Sequence, residues 1–244
     1  MRTTVMTILM VGLSAGSLQA ADGGSPAPPA MSVGIMAGAP ASIQSSAPDC
    51  YAVERGEGAE VFHFKAAGEK CRSVSIIPAQ RVDFADRDSA GGKLEFWLRF
   101  TGDPHIYQGN KFIFRTEPYP PVATLEIYGS KPFLAFEMEG IRNGQNARTN
   151  HRFLAYTEGW DRWLDWKAGE WHKVTLSWKR NEAEGSAELA LAIDDSSEGC
   201  AKCIDRNGYL PQPGSWQTMQ MGNFGRKWGL DYSVKGLTAT GFSP

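Results

Sequence analysis

A tryptophan-rich segment holds the residues of this sequence that are best suited to contact a sugar polymer. It carries three indoles with charged neighbours, Trp160, Trp163, Trp166, Asp161 and Arg162. Flat indole faces pack on the C–H faces of sugars, and charged side chains hydrogen-bond to hydroxyls. The sequence therefore predicts a glycan-binding site here. The alternative is that the rings cover one end of the hydrophobic core.

Carboxylates and histidines supply a second, catalytic possibility. Glu137 and Glu139 alternate with apolar residues, so both project from one sheet face, ~6.6–7 Å apart, near the spacing of glycosidase carboxylates. His105 and His151 each lie in a loop where a base for β-elimination is conceivable. The preferred interpretation of the two glutamates is a solvated sheet face. No catalytic residue is therefore assigned, and these four form the catalytic alternative.

The four cysteines are expected to be paired. Cys200 and Cys203 have a spacing that also occurs in redox motifs and zinc half-sites, but no second pair or nearby His completes a zinc site. A local disulfide is the preferred interpretation. Cys50–Cys71 is then the second bridge, and the sequence leaves the two other pairings open.

Composition and charge exclude some classes of protein. The 244 residues include 25 Lys or Arg and 27 Asp or Glu, for a formal net charge of −2. Such a chain lacks the excess of basic residues that is typical of proteins that bind nucleic acid. Beyond the N-terminus no apolar run approaches ~18 residues, which argues against membrane insertion. The 27 Gly and 14 Pro favour many short elements joined by turns.

The N-terminal residues read as an export signal followed by a linker. Met1–Ala20 has one positive charge, an apolar stretch and small residues at its end, as in a secretory signal. Ala21–Pro48 is rich in Ala, Gly, Ser and Pro and is predicted to be flexible, although Met31–Met36 is apolar enough to dock on the domain. The folded unit is then Cys50–Pro244. We expect a secreted protein, periplasmic or extracellular.

Alternating polarity predicts strands from Cys50 onward. The segment Leu94–Phe100 places Leu and Phe on one face, and Glu95, Trp97 and Arg99 on the other. Similar runs recur about a dozen times with turn residues between them, including one at Arg81–Phe84. Two stacked antiparallel sheets satisfy this pattern, so the predicted fold is an all-β sandwich. Only Gly159–Gly169 looks helical, for a turn or two.

Several segments occur in an order that resembles a known family. They are Ile77–Phe84 (IPAQRVDF), Gly92–Phe100 (GKLEFWLRF), Gly169–Trp178 (GEWHKVTLSW), Met221–Phe224 (MGNF) and Gly236–Ser243 (GLTATGFS). This order resembles the laminin-G-like branch of the concanavalin A-like lectin/glucanase superfamily. The resemblance covers residues 60–243 and implies an antiparallel jelly-roll β-sandwich. It also implies core positions for Trp171 and Trp178.

The resemblance extends to possible ligands but does not imply one activity. Laminin-G-like domains often carry calcium near a rim, and hard oxygen ligands are present in Asp194, Asp195, Asp205 and Asn207. Solvated loop residues are the preferred interpretation, so no cofactor is assigned. The Asp-Gly hairpin common in relatives is replaced here by a longer loop beginning at Asp194.

The superfamily includes sugar-binding modules, adhesion domains, glycosidases and lyases, so fold alone sets only an expectation. We expect a secreted, non-catalytic protein that binds a glycan or a cell-surface polymer. The alternative is a polysaccharide-degrading hydrolase or lyase of the same fold.

Overall fold

The computed structural model describes residues 31–36, 39–44, 48–56, 59–65, 71, 74–78, 90–105, 110–114, 123–128, 133–138, 140–142, 145–146, 155–208, 210–211, 219–221 and 231–242. The expected signal, Met1–Ala20, and the strand predicted at Arg81–Phe84 lie outside these residues.

Strands make up most of the described chain. In order they are β1 Met31–Met36, β2 Ala39–Gln44, β3 Tyr51–Gly56, β4 Ala59–Phe64, β5 Val74–Pro78, β6 Gly91–Phe100, β7 Asn110–Phe114, β8 Ala123–Tyr128, β9 Phe133–Met138, β10 Gly140–Arg142, β11 Gln145–Asn146, β12 Ala155–Tyr156, β13 His172–Asn181, β14 Ser186–Ile193, β15 Ile204–Gly208, β16 Leu210–Pro211, β17 Met219–Met221 and β18 Tyr232–Phe242. One α-helical turn, α1, spans Asp161–Leu164, and 3-10 turns span Pro48–Cys50 and Glu182–Glu184. The all-β prediction, with its short helical segment, is confirmed.

The strands form a β-sandwich dominated by one large sheet. Eleven strands belong to that sheet, in the order β15–β14–β13–β6–β18–β1–β2–β5–β17, with β4 paired to β18 and β3 paired to β4. The pairings are antiparallel except for β1 with β18. A four-stranded sheet, β12–β9–β8–β7, contacts β14 and β15 through β12 and contacts β17 through β7. Strands β11, β10 and β16 form a small third sheet.

Period-two burial along β6 and β13 builds the centre of the core. Leu94, Phe96, Leu98 and Phe100 on β6 are almost fully buried, and the three residues that alternate with them are more exposed. On β13, Val174 pairs with Phe96 and is buried, as is Trp178. These large apolar side chains remove the inner sheet face from water, which is the main favourable contribution to folding.

The prediction of a flexible linker at Ala21–Pro48 is wrong for β1 and β2. Strand β2 pairs with β5, and β1 joins β18 at Met36 opposite Leu237. Ile43 on β2 is 2% exposed and belongs to the core. The composition of the segment argued against an independent core. A segment that joins an existing sheet needs mainly backbone hydrogen bonds and few buried side chains.

Both preferred disulfides are present. Cys50 bonds to Cys71, and Cys200 bonds to Cys203. Cys50 and Cys203 are buried within the core, so each bridge ties a loop to the sandwich. No described cysteine is free.

We expect Trp178→Ala to lower the free energy of unfolding by about 3–5 kcal/mol, because the variant empties the space of a fully buried indole. Urea denaturation of both proteins measures the difference. Leu164→Ala is the control, since Leu164 is 53% exposed and should cost under about 1 kcal/mol. Equal stability of Trp178→Ala and wild type would contradict the inward placement of this side chain.

The two disulfides are expected to contribute unequally. Cys50 and Cys71 are 21 residues apart, so replacing both by Ala should cost about 3 kcal/mol of stability through the freed unfolded chain. Cys200 and Cys203 are 3 residues apart, and their double Ala variant should lose about 2 kcal/mol or less. Denaturation midpoints of the two double variants test this order, and the reverse order would refute it.

Candidate functional site

The three tryptophans of the predicted sugar platform lie in the core. Trp160, Trp163 and Trp166 are 3%, 0% and 1% exposed. The turn of α1 sets Trp163 edge-on to Trp166, with ring centroids 5.2 Å apart, and Trp166 lies 5.3 Å from Phe100 of β6. A stacking platform requires an exposed ring face. The expectation of an exposed platform is therefore wrong for these rings, which cover the end of the core instead.

The charged neighbours of these rings remain on the surface. Asp161 and Arg162 are exposed. The Arg162 guanidinium donates to the carbonyl oxygen of Ile193 at 3.3 Å, and the indole N–H of Trp160 donates to the carbonyl oxygen of Glu198 at 2.9 Å. These bonds fix α1 against the loop that follows β14. A ligand-binding role for Asp161 and Arg162 stays a prediction.

Of the four catalytic alternatives, only His105 has a described side chain. Its Nε2 donates to the carbonyl oxygen of Trp166 at 3.1 Å, and its ring lies edge-on to Trp163. These contacts are those of a packed histidine rather than of a base facing a cleft. Glu137 lies on β9, in register with residue 124 of β8. Glu139 and His151 lie outside the described residues.

The acidic pair after β14 has protein partners. The two carboxylate oxygens of Asp194 contact Nδ1 of His172 at 2.8 Å and the backbone N–H of Lys173 at 2.9 Å. Asp195 accepts from the Lys173 ammonium at 2.7 Å. Both aspartates have positive φ, 51° and 60°, as a tight turn requires.

The second predicted calcium-ligand pair is a local turn, in which the Asp205 carboxylate accepts the backbone N–H of Asn207 at 2.8 Å. Within the described ranges, no cluster of three or more His, Cys, Asp or Glu is arranged to hold a metal.

A different surface presents aromatic and charged side chains to solvent. It consists of the residues of β6 and β18, of the start of β13 and of the residue just before β13 that point away from the core, and we call it the outer face. Its members are Lys93, Glu95, Trp97, Arg99, Trp171, Lys173 and Lys235. Trp97 is 39% exposed. The sequence pattern placed Trp97 among the outward residues of its strand. On that outward side it lies between Glu95 and Arg99, and this arrangement was the signal for a functional role.

Cations surround the two indoles of the outer face. The Arg99 guanidinium lies 4.5 Å from the ring centroid of Trp171, and the Lys235 ammonium lies 4.4 Å from it. Lys235 is also 5.8 Å from the centroid of Trp97. Contacts of this type contribute about 0.5–1 kcal/mol each at exposed sites. Trp171 is partly exposed, so the core position that the resemblance implies for it is wrong.

A chain of ion pairs continues the outer face. Lys93 and Lys173 contact Glu95 at 2.7 and 3.1 Å. Partial burial opposes ionisation of Glu95, but the hydrogen bonds from both lysines hold the pKa of its carboxyl below the usual value. Hydrogen bonds to Asp195 and Glu95 raise the pKa of Lys173. At neutral pH the outer face is therefore a fixed array of charged donors and acceptors.

A bulge in β18 sets the position of Lys235. The register of β18 against β6 shifts between Lys235 and Thr238. Gly236 lies within this shift at φ 61°, and a Cβ there would be 3.4 Å from Cδ1 of Trp97. Glycine adopts this left-handed backbone at little cost, as in the bulges that begin with glycine. The bulge therefore brings the backbone close to the edge of the exposed indole.

Comparison with known proteins finds similarity in fold only. No family model matches it, and no curated protein sequence matches it. Solved structures do resemble it. A receptor binding domain aligns with a TM-score of 0.54 and 11% identity, over 83% of this chain and 43% of the other.

Two botulinum neurotoxin structures are similar at the same level. Type C, which depends on interaction with two ganglioside molecules to enter cells, has a TM-score of 0.51 at 12% identity, over 85% of this chain and 45% of that one. The binding domain of neurotoxin DC in complex with rat synaptotagmin II has a TM-score of 0.51 at 10% identity, over 83% and 43%. This chain thus spans less than half the length of these structures. The likeness supports the β-sandwich fold alone.

The described part of the chain includes no helix long and apolar enough to cross a bilayer.

The contacts of Asp194 predict how two substitutions differ. Asp194→Asn keeps an acceptor for the Lys173 N–H and tolerates positive φ, so it should cost under about 1 kcal/mol. Asp194→Ala loses the acceptor and adds left-handed strain, and should cost about 2–3 kcal/mol. Urea denaturation measures both losses of stability.

Calcium supplies the control for this experiment. Because both Asp194 oxygens already have protein partners, millimolar calcium should not change the Tm of wild type. A rise in Tm that disappears in Asp194→Asn would instead assign this loop to a metal.

Proposed function

We propose that this chain is a secreted, non-catalytic β-sandwich protein that binds a glycan or surface polymer on its outer face. The observation that carries the proposal is Trp97, a large indole that stays 39% exposed in the middle of a well-packed sheet. An exposed Trp between charged side chains offers an apolar ring for a sugar C–H face, with hydroxyl partners beside it.

The chemistry of the neighbours fits a hydroxylated ligand. Arg99 and Lys235 are donors beside the indoles, and Glu95 is an ionised acceptor held by two lysines. Sugars present many hydroxyls that both donate and accept, so they use such mixed arrays well. Because these side chains hold one another by ion pairs and cation–π contacts, little side-chain entropy would be lost on binding.

The shape of the outer face suits an extended polymer. From Trp171, just before β13, to Lys179 near its end, the chain extends for about 27 Å at ~3.4 Å per residue. Between these ends the outward side chains of β13 are Lys173 and then two small ones, with Thr175 opposite Ala192 and Ser177 opposite Ala190. A chain of several sugars that lies along β13 can therefore contact the Lys173 ammonium and then pass over the small side chains that follow it.

Fold family and location are part of the proposal. The order of the segments resembling laminin-G-like domains supports a concanavalin A-like jelly roll. The signal-like Met1–Ala20 and the two disulfides support export to the periplasm or exterior, since disulfides persist in oxidising compartments. The similar structures include one ganglioside-dependent toxin and one complex with a protein, so the choice of a glycan rests on the outer face.

The test is a polysaccharide panel titrated into the full chain, with intrinsic fluorescence for binding and an assay for released reducing or unsaturated ends. Trp97→Ala should weaken binding to the bound polymer about fivefold, the equivalent of about 1 kcal/mol for one aromatic contact. Leu164→Ala is the control, because it removes another exposed apolar side chain, on α1 and away from the outer face. Arg162→Ala tests the surface beside α1.

Three outcomes would refute the proposal. One is unchanged affinity in Trp97→Ala, and a second is loss of binding in Arg162→Ala alone, which would move the site to α1. The third is release of new chain ends, which would make the protein an enzyme. Glu137→Gln should leave binding intact.

A further inference from the structure

A charged pocket opens at the far end of β13 from the two indoles. Its volume is about 300 Å³, and its lining residues are Lys179, Arg180, Asn181, Glu188 and Arg206. They come from the adjacent ends of β13, β14 and β15. We propose that this pocket binds the carboxylate of an acidic sugar residue, so that the protein selects acidic polysaccharides.

Positive charge dominates the pocket. Three cations and one carboxylate line it, which leaves a formal excess of two positive charges. The carboxylate of Glu188 lies 3.3 Å from Nε of Arg206. Among the described residues, the Lys179 ammonium has no hydrogen bond or ion pair. An anion in the pocket therefore finds a cation whose charge is not already neutralised, together with the remaining guanidinium donors of Arg206, which can bind an anion in a bidentate manner.

The size of the pocket points to a group larger than an inorganic ion. About 300 Å³ is near the lower limit of small-molecule sites and is roughly ten times the ~30 Å³ share of one water molecule. A phosphate or sulfate ion alone would leave most of this space to solvent. One sugar unit that carries its own acid group fits the space and the charge together.

The two remaining lining residues favour a sugar over a nucleic acid. Glu188 accepts hydrogen bonds from hydroxyls and repels closely spaced phosphates, and the amide of Asn181 both donates and accepts. The whole chain has a net charge of −2, so it has no general attraction for polyanions. Recognition of a polyanion must therefore depend on a local site that also uses hydroxyls.

The pocket belongs to the surface proposed above for glycan binding. Trp178 points into the core, so Lys179 points outward, on the same side of β13 as Trp171. A polymer lying along β13 would contact the indoles at one end and the pocket at the other. The inference rests on the proposed function, because it names the class of glycan that the outer face binds.

The test compares polymers that differ only in charge. Polygalacturonate, alginate and hyaluronate are each titrated beside their fully methyl-esterified forms, by calorimetry, with the full chain. We expect at least one acidic polymer to bind about tenfold more tightly than its ester. Raising sodium chloride from 0.05 to 0.5 M should reduce this preference, because screening weakens exposed charge pairs.

The double variant Lys179→Gln with Arg206→Gln should lose about tenfold in affinity for the acidic polymer, while its affinity for the ester changes less than twofold. Its control is Lys65→Gln with Lys167→Gln, which removes two exposed cations away from the pocket and should leave both affinities within twofold. Both lysines of the control, like Lys179 and Arg206, are exposed, so all these variants should fold. Melting curves check this.

The outcomes separate the two proposals. Equal binding of an acidic polymer and its ester, with both weakened by Trp97→Ala, would overturn the acidic pocket and leave glycan binding intact. The acidic pocket is likewise overturned if the pocket variant and the control variant bind the acidic polymer with the same affinity. If none of the three acidic polymers binds in either form, the acidic pocket is overturned. If no member of the polysaccharide panel described under the proposed function binds either, glycan binding is overturned too. Vesicles of phosphatidylserine are the last comparison. If they bind as tightly as the acidic polymer, and if Lys179→Gln with Arg206→Gln weakens that binding, the ligand of the pocket is a lipid surface rather than a sugar.

Discussion

The register of β6 between β13 and β18 is the constraint on which the core and the outer face both depend. Leu94, Phe96, Leu98 and Phe100 must face inward, because exposing four large apolar side chains would cost several kcal/mol. A slip of one residue would exchange the two faces of the strand. The burial of these side chains therefore fixes Trp97 on the outside, beside its partners on the neighbouring strands.

The bulge at Gly236 modifies this regular arrangement at one place. Before the bulge, Val234 of β18 pairs with Phe62 of β4 as well as with β6, and after it Leu237 pairs with Met36 of β1. The strand thus changes neighbours within a few residues. The same irregularity places the Lys235 ammonium near the centroids of both outer-face indoles. A backbone feature needed to join the parts of the large sheet also shapes the most aromatic part of its surface.

Local sequence patterns predicted some of these features and missed others for a physical reason. Alternation of polarity is a property of neighbouring residues, so it located β6 and β13 and the facing of Trp178. The burial of Trp163 depends on how α1 packs against the end of the sheet, which no short pattern contains. The strands β1 and β2 exist because distant strands supply their hydrogen bonds. The outer face likewise needed the pairing of β13 with β6 before its two indoles, Trp97 and Trp171, could be placed together.

The parallel pairing of β1 with β18 joins Met36 to Leu237, roughly 200 residues apart in the chain. Of the described strands, β1 is synthesised first and β18 last, so the large sheet is continuous only after β18 has been made. Contacts of such long range slow folding, because a large loop must close before any stabilising pairing is gained. During that interval β1 pairs with β2 on one side and has no partner on the side that β18 will occupy. A nascent chain would accordingly expose an unpaired sheet edge until β18 arrives, and that edge is where misassembly between copies would begin.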